Sequence, residues 1–240
     1  MAYLNWIDDK DLIHAVQQLV EVAKDSLIKS ENDFNKNVID PFSALFQVSG
    51  FGIDFKTWMI SEKTRQAQKT MQNQVGVFHQ YVLGSVSGWG NLGIGQGVDL
   101  VCHSRKIIAE VKNKHNTVTF GKLADQYYML ERLVTPKVSQ YKDYTSYFVN
   151  IIPRRPKRVD ETFEPSDKDK GMKCPKNELI RITDGASFYS LVTGVDDALK
   201  QLFKVLPTVI EDNIGITFLE SDKHELTKFF GLAYGGASVE

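Results

Sequence analysis

Two carboxylates and one lysine interrupt an otherwise apolar stretch of this chain. Between Gly97 and Lys112, outside a short polar turn, the charged residues are Asp99, Glu110 and Lys112. Carboxylate oxygens suit a hard divalent ion such as Mg²⁺, and a lysine beside such an ion could orient or help deprotonate an attacking water. The residue types therefore indicate a metal-dependent hydrolytic site.

Two short strands joined by a tight turn would bring these three side chains together. The strand, turn and strand are predicted at Gly97–Cys102, His103–Lys106 and Ile107–Lys112. If Cys102 pairs with Ile107, the antiparallel register places Asp99 opposite Glu110. Because side chains alternate between the faces of a strand, Glu110 and Lys112 then share one face.

Opposed carboxylates repel each other unless a cation lies between them. A plainer interpretation is an edge hairpin whose charges are merely solvated or paired. We favour the metal site because Asp99 and Glu110 interrupt two strongly apolar strands on the same predicted face.

The pattern Asp99…Glu110-Val111-Lys112 resembles the D…(D/E)-x-K core of the PD-(D/E)xK nuclease superfamily, with Val98 in place of the usual Pro. The flanking segments are similar to those of type II restriction endonucleases that cut GGNCC or GGWCC sites. The similarity covers about Arg65 to Thr117 and is carried by Val75–Gln80, Gly88-Trp89, Val98-Asp99 and Glu110–Thr117.

This resemblance implies an α/β fold with a central mixed sheet flanked by helices. It also implies Mg²⁺-dependent cleavage of double-stranded DNA, with Asp99, Glu110 and the Val111 backbone carbonyl as metal ligands and Lys112 positioning the water. A homodimer is expected, since a two-fold-symmetric DNA site is read by a two-fold-symmetric protein. The resemblance further implies a cognate DNA methyltransferase as genetic partner.

The predicted elements amount to a single endonuclease domain over residues 1–240. A helical part covers about 1–83, a catalytic sheet core about 84–183, and C-terminal helices about 184–235. The near-continuous apolar run Tyr144–Ile152 predicts a strand in the middle of the sheet.

Candidate DNA contacts lie in three polar segments. They are Arg65, Gln66, Lys69, Gln72 and Asn73 on a long helix, Asn113, Lys114, His115, Asn116 and Thr117 after the catalytic strand, and Arg154, Arg155, Lys157 and Arg158 after the central strand. These residue types contact phosphates and base edges in protein–DNA complexes. A solvated helix face and a solvated insertion remain alternatives for the first and third segments.

Helices that precede the catalytic hairpin in this superfamily often carry an acid, and here the equivalent position holds His79 or Gln80. For His79, a core residue bonded to its surroundings is the simpler interpretation. The glycines of Gly84–Gly97 include Gly93-Ile-Gly-Gln-Gly97, but a strand follows rather than a helix, which argues against a nucleotide-binding loop.

Composition excludes some classes of protein. The net charge of -1 argues against a globally basic nucleic-acid binder. Cys102 and Cys174 lack metal-ligand spacing and are expected to be free thiols, with Cys174 in a polar loop. Without a signal peptide or a membrane-spanning stretch, we expect a cytoplasmic protein that has no membrane partner.

Two other functions remain open on the sequence alone. One is a repair or recombination nuclease of the same superfamily that is specific for DNA structure. The other is a DNA-binding protein without catalysis, in which Asp99 and Glu110 are structural.

Overall fold

The apolar segments form a six-stranded mixed sheet in the computed structural model, which describes residues 2–93, 95 and 97–235. Its strand order is β1-β2-β3-β4-β8-β5, and the strands are β1 (Gly90–Asn91), β2 (Leu100–Cys102), β3 (Ile107–Lys114), β4 (Thr145–Ile152), β5 (Asp160–Thr162) and β8 (Ile180–Asp184). A separate two-stranded ribbon pairs β6 (Ser166–Asp167) with β7 (Met172–Lys173). Of the predicted glycine-rich segment, Ile94 and Gln96 lie outside the described residues.

Seven α-helices accompany the sheet in the described part of the chain. They are α1 (Asp9–Asn32), α2 (Pro41–Phe51), α3 (Phe55–Gly84), α4 (Leu123–Val134), α5 (Gly185–Thr193), α6 (Ala198–Ile214) and α7 (Glu220–Tyr234). None of them, within the described residues, is both long and apolar enough to cross a lipid bilayer. A mixed sheet with helices confirms the predicted fold class.

The chain divides into two compact units. One comprises Gln17–Val77 and is helical, with a small core in which Phe34, Ala44 and Trp58 are buried. The other comprises Met1–Val16 with Phe78–Glu240 and contains the sheet. The single domain over residues 1–240 stays a prediction.

The sheet is built on three parallel strands, β3, β4 and β8, with β4 in the middle as predicted. Helix α4 packs on one face, where Ile108, Phe148 and Ile180 are buried with its own Tyr127 and Leu130. Each such side chain stabilises the fold by about 1.5–3 kcal/mol when fully buried. Helix α4 therefore covers a face of the sheet, and a cavity lies at the carboxyl ends of the parallel strands.

Cys174 lies in a loop directly after β7, as expected, but it is only 2% exposed and does not face solvent as a polar loop would suggest. The segment that follows β4 forms β5, β6 and β7, and it buries Cys174 and Phe163 in the core beneath α4. Phe163 stacks on Phe148 with ring centroids 5.0 Å apart. The polar surroundings of these two residues in sequence concealed that they anchor the insertion. Both cysteines are free thiols, as predicted.

Candidate active site

The hairpin of β2 and β3 has the predicted register. Cys102 pairs with Ile107 and Leu100 pairs with Ala109, around a turn at residues 103–106. Strand β2 begins only at Leu100 and is therefore shorter than the predicted strand. Gly97, which lies before it, has a φ of +81°. That left-handed conformation favours glycine, and it turns the chain into the hairpin.

Both the backbone and the carboxylate of Asp99 form hydrogen bonds with neighbouring elements. Its N–H donates to the Ala109 carbonyl at 2.9 Å, and its own carbonyl accepts from the Leu92 N–H at 2.9 Å. One carboxylate oxygen, Oδ2, accepts from the backbone N–H of Val111 at 2.7 Å. The side chain of Gln80 also hydrogen-bonds the carboxylate. The orientation of Asp99 is therefore set by β3 and by the end of α3.

Glu110 and Lys112 project from the same face of β3, as their spacing predicted. Their side chains are 12% and 25% exposed, and the Lys112 ammonium donates to Glu110 Oε1 at 2.5 Å. In the parallel ladder with β4, Lys112 pairs with Asn150. The hairpin thus assembles two acids and one base at a partly buried place on the sheet.

The two carboxylates are electrostatically strained. Burial raises the pKa of Asp99, against the opposing effects of the Val111 N–H, Lys112 and Gln80. Burial is also the main cause that raises the pKa of Glu110, and the charge of Asp99 raises it further. The positive charge of Lys112 lowers the pKa of both carboxyl groups and so opposes these effects. A divalent cation between Asp99 and Glu110 would offset the cost of burying the two charges and would reduce their mutual repulsion.

The two carboxylates fit a hard metal ion that takes only some of its ligands from the protein. Among the described residues, no three His, Cys, Asp or Glu side chains form a cluster that could bind a metal. Two carboxylates would therefore be supplemented by backbone carbonyls, waters and phosphate oxygens, which is the usual coordination of Mg²⁺. The Val111 carbonyl stays a predicted ligand.

The structure places His79 and Gln80 in different surroundings. Gln80 contacts the Asp99 carboxylate, whereas the His79 ring packs on Phe78 and bonds the Tyr189 hydroxyl through Nδ1 at 2.8 Å. Burial lowers the pKa of His79 to about 4. Gln80 thus lies beside Asp99, and His79 belongs to the core.

We expect His79 to make the protein sensitive to mild acid. Its folded pKa lies below the ordinary value of 6.5, so the unfolded chain binds the proton first and stability falls as the pH decreases from 6.5 to 4. The expected loss is about 3 kcal/mol by pH 4. Urea titrations of the wild type and His79→Asn at several pH values measure it. An equal pH dependence in the two proteins would contradict this assignment.

Two of the three predicted DNA-contacting segments meet at one end of the sheet. A cavity of about 620 Å³ lies at the carboxyl ends of β3, β4 and β8, and its lining includes His115, Asn116, Arg154, Arg155 and Lys157. Ligands of open α/β sheets bind at this end of the strands. Lys114 ends β3, and the Thr117 hydroxyl accepts from its backbone N–H at 3.2 Å. Asn113 also lies on β3.

The third segment lies on α3, in the unit of Gln17–Val77. There Arg65 forms an ion pair with Glu62 at 2.6 Å, and Gln66 bonds the same carboxylate. Lys69 and Asn73 are exposed. Their contact with DNA stays a prediction. Arg158, proposed with the basic run after β4, bonds Asp196 instead.

Sequence reasoning missed Asn150 and Asp184, both of which line the cavity. Asp184 has a structural role, since its carboxylate accepts from the N–H groups of Ser187 and Val159 and so caps α5. Asn150 is 8% exposed, and its Oδ1 has no hydrogen-bond partner within the described residues. A lone amide inside the apolar run Tyr147–Ile152 was the signal available in the sequence.

Comparisons with known proteins found one matching family and related enzymes. The Eco47II restriction endonuclease family model matches residues 4–215. The type II restriction enzyme Eco47II of Escherichia coli is 52% identical, and the match covers 98% of this chain and all of that protein. The type II restriction enzyme Sau96I of Staphylococcus aureus is 31% identical, over 88% of this chain and 80% of that protein. No solved structure matches.

Proposed function

This chain belongs to the Eco47II restriction endonuclease family and is a type II restriction enzyme, a site-specific deoxyribonuclease; on that premise we propose that Asp99, Glu110 and Lys112 form its catalytic centre. The observation that carries the proposal is the pair of half-buried carboxylates on one hairpin, with Lys112 bonded to Glu110. We further propose that the site cut is GGNCC or GGWCC, as the sequence resemblance implies, and that cutting leaves 5′-phosphates.

Type II restriction endonucleases generally need a divalent metal ion, and we propose that this one uses Mg²⁺ held by Asp99 and Glu110. Oxygen-only donors and a partly open site support this choice. Such an ion would polarise the scissile phosphate and offset the charge that develops there. Val111 supports the site through its N–H bond to Asp99.

The chain's own residues then orient the reaction. The Asp99 carboxylate is fixed by the Val111 N–H and by Gln80, so that it does not reorganise as charge develops. Lys112 can turn from Glu110 to hold the attacking water and to stabilise negative charge on the phosphate. In-line attack breaks the bond between phosphorus and O3′, which leaves a 5′-phosphate and a 3′-hydroxyl.

We propose a homodimer, because duplex DNA has two strands to cut and each chain contributes one catalytic centre. Helix α7 offers a candidate interface, since Phe229 and Leu232 are 66% and 73% exposed. A cognate methyltransferase would protect the host's own sites. We place the enzyme in the cytoplasm, where thiols such as Cys102 and Cys174 stay free.

The function is tested by digestion of plasmid DNA of known sequence. We expect discrete fragments in Mg²⁺ whose ends map to GGNCC or GGWCC, and no cutting in excess EDTA. A smear, or preference for branched DNA, would instead indicate a structure-specific nuclease. If DNA is bound but never cut, the catalytic proposal is wrong.

A further inference from the structure

Asn150 combines burial, an unsatisfied polar atom and a place on the wall of a cavity. Its side chain is more than nine-tenths buried, and Oδ1 has no hydrogen-bond partner among the described residues. An unsatisfied buried acceptor costs stability, and a hydrogen bond to Oδ1 from a ligand or an ordered water would offset that cost. The cavity that it lines is large enough to admit part of a nucleotide.

The position of Asn150 relates that cavity to the chemistry. On β4 it is the direct partner of Lys112 on β3, and paired residues of parallel strands point to the same face. Adjacent strands lie about 4.8 Å apart. A group bound at Asn150 is therefore next to the position where Lys112 would meet the scissile phosphate.

The surroundings indicate a ligand with both phosphates and hydrogen-bond donors. Arg154, Arg155 and Lys157 on the cavity wall attract phosphate oxygens. Oδ1 itself needs a donor, however, and DNA phosphates and deoxyribose supply none. In DNA the donors are N–H groups of the bases, and those in the major groove are the amino groups of cytosine N4 and adenine N6.

We propose that Asn150 is a base-reading residue whose Oδ1 accepts a hydrogen bond from the exocyclic amino group of a cytosine or adenine near the cut. The proposal rests on the proposed function and deepens it. It assigns the cavity to the nucleotide beside the scissile phosphate, with the arginines on the backbone and Asn150 on the base edge.

The test compares binding of a 20-base-pair duplex that contains GGACC with a scrambled duplex of equal composition, in Ca²⁺. GGACC satisfies both candidate sites. We expect Asn150→Leu, which has nearly the same shape, to lower the preference for GGACC about 10- to 100-fold. Binding to the scrambled duplex should be unchanged, and folding stability should be equal to or above that of the wild type.

Base analogues test the same contact without any change to the protein. Cytosines replaced one at a time by 2-pyrimidinone lose the N4 amino group, and adenine replaced by purine loses the N6 amino group. We expect one of these deletions to weaken binding by the wild type and to cause no further loss with Asn150→Leu, because both remove one interaction.

Ser146→Ala is the matched control. Ser146 is a buried polar residue at the other end of β4, and its hydroxyl already bonds the Leu179 carbonyl at 3.0 Å. This variant should lose stability but keep its preference for GGACC.

The base-reading role is overturned if Asn150→Leu keeps full preference, if both duplexes weaken equally, or if no amino deletion affects the wild type. Failure of the proposed function is distinct, since the wild type would then leave the GGACC duplex uncut in Mg²⁺. That outcome would remove both proposals.

Discussion

Lys112→Ala is expected to bind its DNA site but to cut it about 10²- to 10⁴-fold more slowly than the wild type. The Lys112 ammonium contacts the Glu110 carboxylate directly, at 2.5 Å. In the proposed mechanism its removal deprives the attacking water and the phosphate of a positioned donor, while the basic residues around the cavity would still hold the duplex. Single-turnover cleavage in Mg²⁺ and binding in Ca²⁺ separate the two effects.

Lys176→Ala is the matched control for lost positive charge, because Lys176 lies on the surface in an ion pair with Glu178. It should cut at the wild-type rate. If Lys112→Ala also cuts at full rate, Lys112 has no catalytic role. If binding and cutting fall by the same factor, Lys112 serves only to hold DNA.

Asp99→Asn should lower the cleavage rate about 10³-fold or more. The amide keeps the shape of the side chain but removes one of the two charges that would hold the metal ion, whose stabilisation of the transition state is worth several kcal/mol. Raising Mg²⁺ should restore only part of the rate. Single-turnover cleavage over a range of Mg²⁺ concentrations measures both the lost rate and the weakened metal dependence.

The same variant should be more stable than the wild type in the absence of metal. Because burial raises the pKa of Asp99, the folded state holds the proton more tightly than the unfolded chain, and the ionised group destabilises the fold at neutral pH. The gain from Asp99→Asn should therefore shrink as the pH falls through the raised pKa of Asp99 towards the ordinary carboxyl value of 3.8. Urea unfolding in EDTA from pH 4 to 8 checks the sign.

Asp125→Asn provides the control, since Asp125 is an exposed acid in the first turn of α4. It should cut at the wild-type rate and should not become more stable at neutral pH in EDTA. An Asp99→Asn protein that is active at ordinary Mg²⁺, or less stable at neutral pH in EDTA, would show that Asp99 is a structural carboxylate.

Much of the hairpin that carries Asp99 and Glu110 could be predicted from the local sequence pattern. Strand alternation and a four-residue polar turn determine its register, because shifting it by one residue would move every side chain to the other face. The structure has that register, with Cys102 opposite Ile107. The cap of α2 is set just as locally, because Asp40 accepts a hydrogen bond from the N–H of Phe42, two residues further along the chain.

The sequence could not show which of His79 and Gln80 lies beside Asp99. The two side chains point in different directions from the helix, and the direction that faces the hairpin depends on how the helix packs. Only the packing of α3 sends His79 to Tyr189 and Gln80 to Asp99. The same limitation applied to Cys174, whose polar neighbours in sequence say nothing of the core that it enters.

The sequence by itself therefore determined which charged groups the hairpin brings together: Asp99 and Glu110 on one short hairpin with Lys112 beside them. Only the tertiary structure decided what lies next to it. Parallel pairing of β3 with β4 joins segments that are distant in sequence, and no local period encodes their register. That pairing places Asn150 beside Lys112 and gathers the residues after both strands around one cavity.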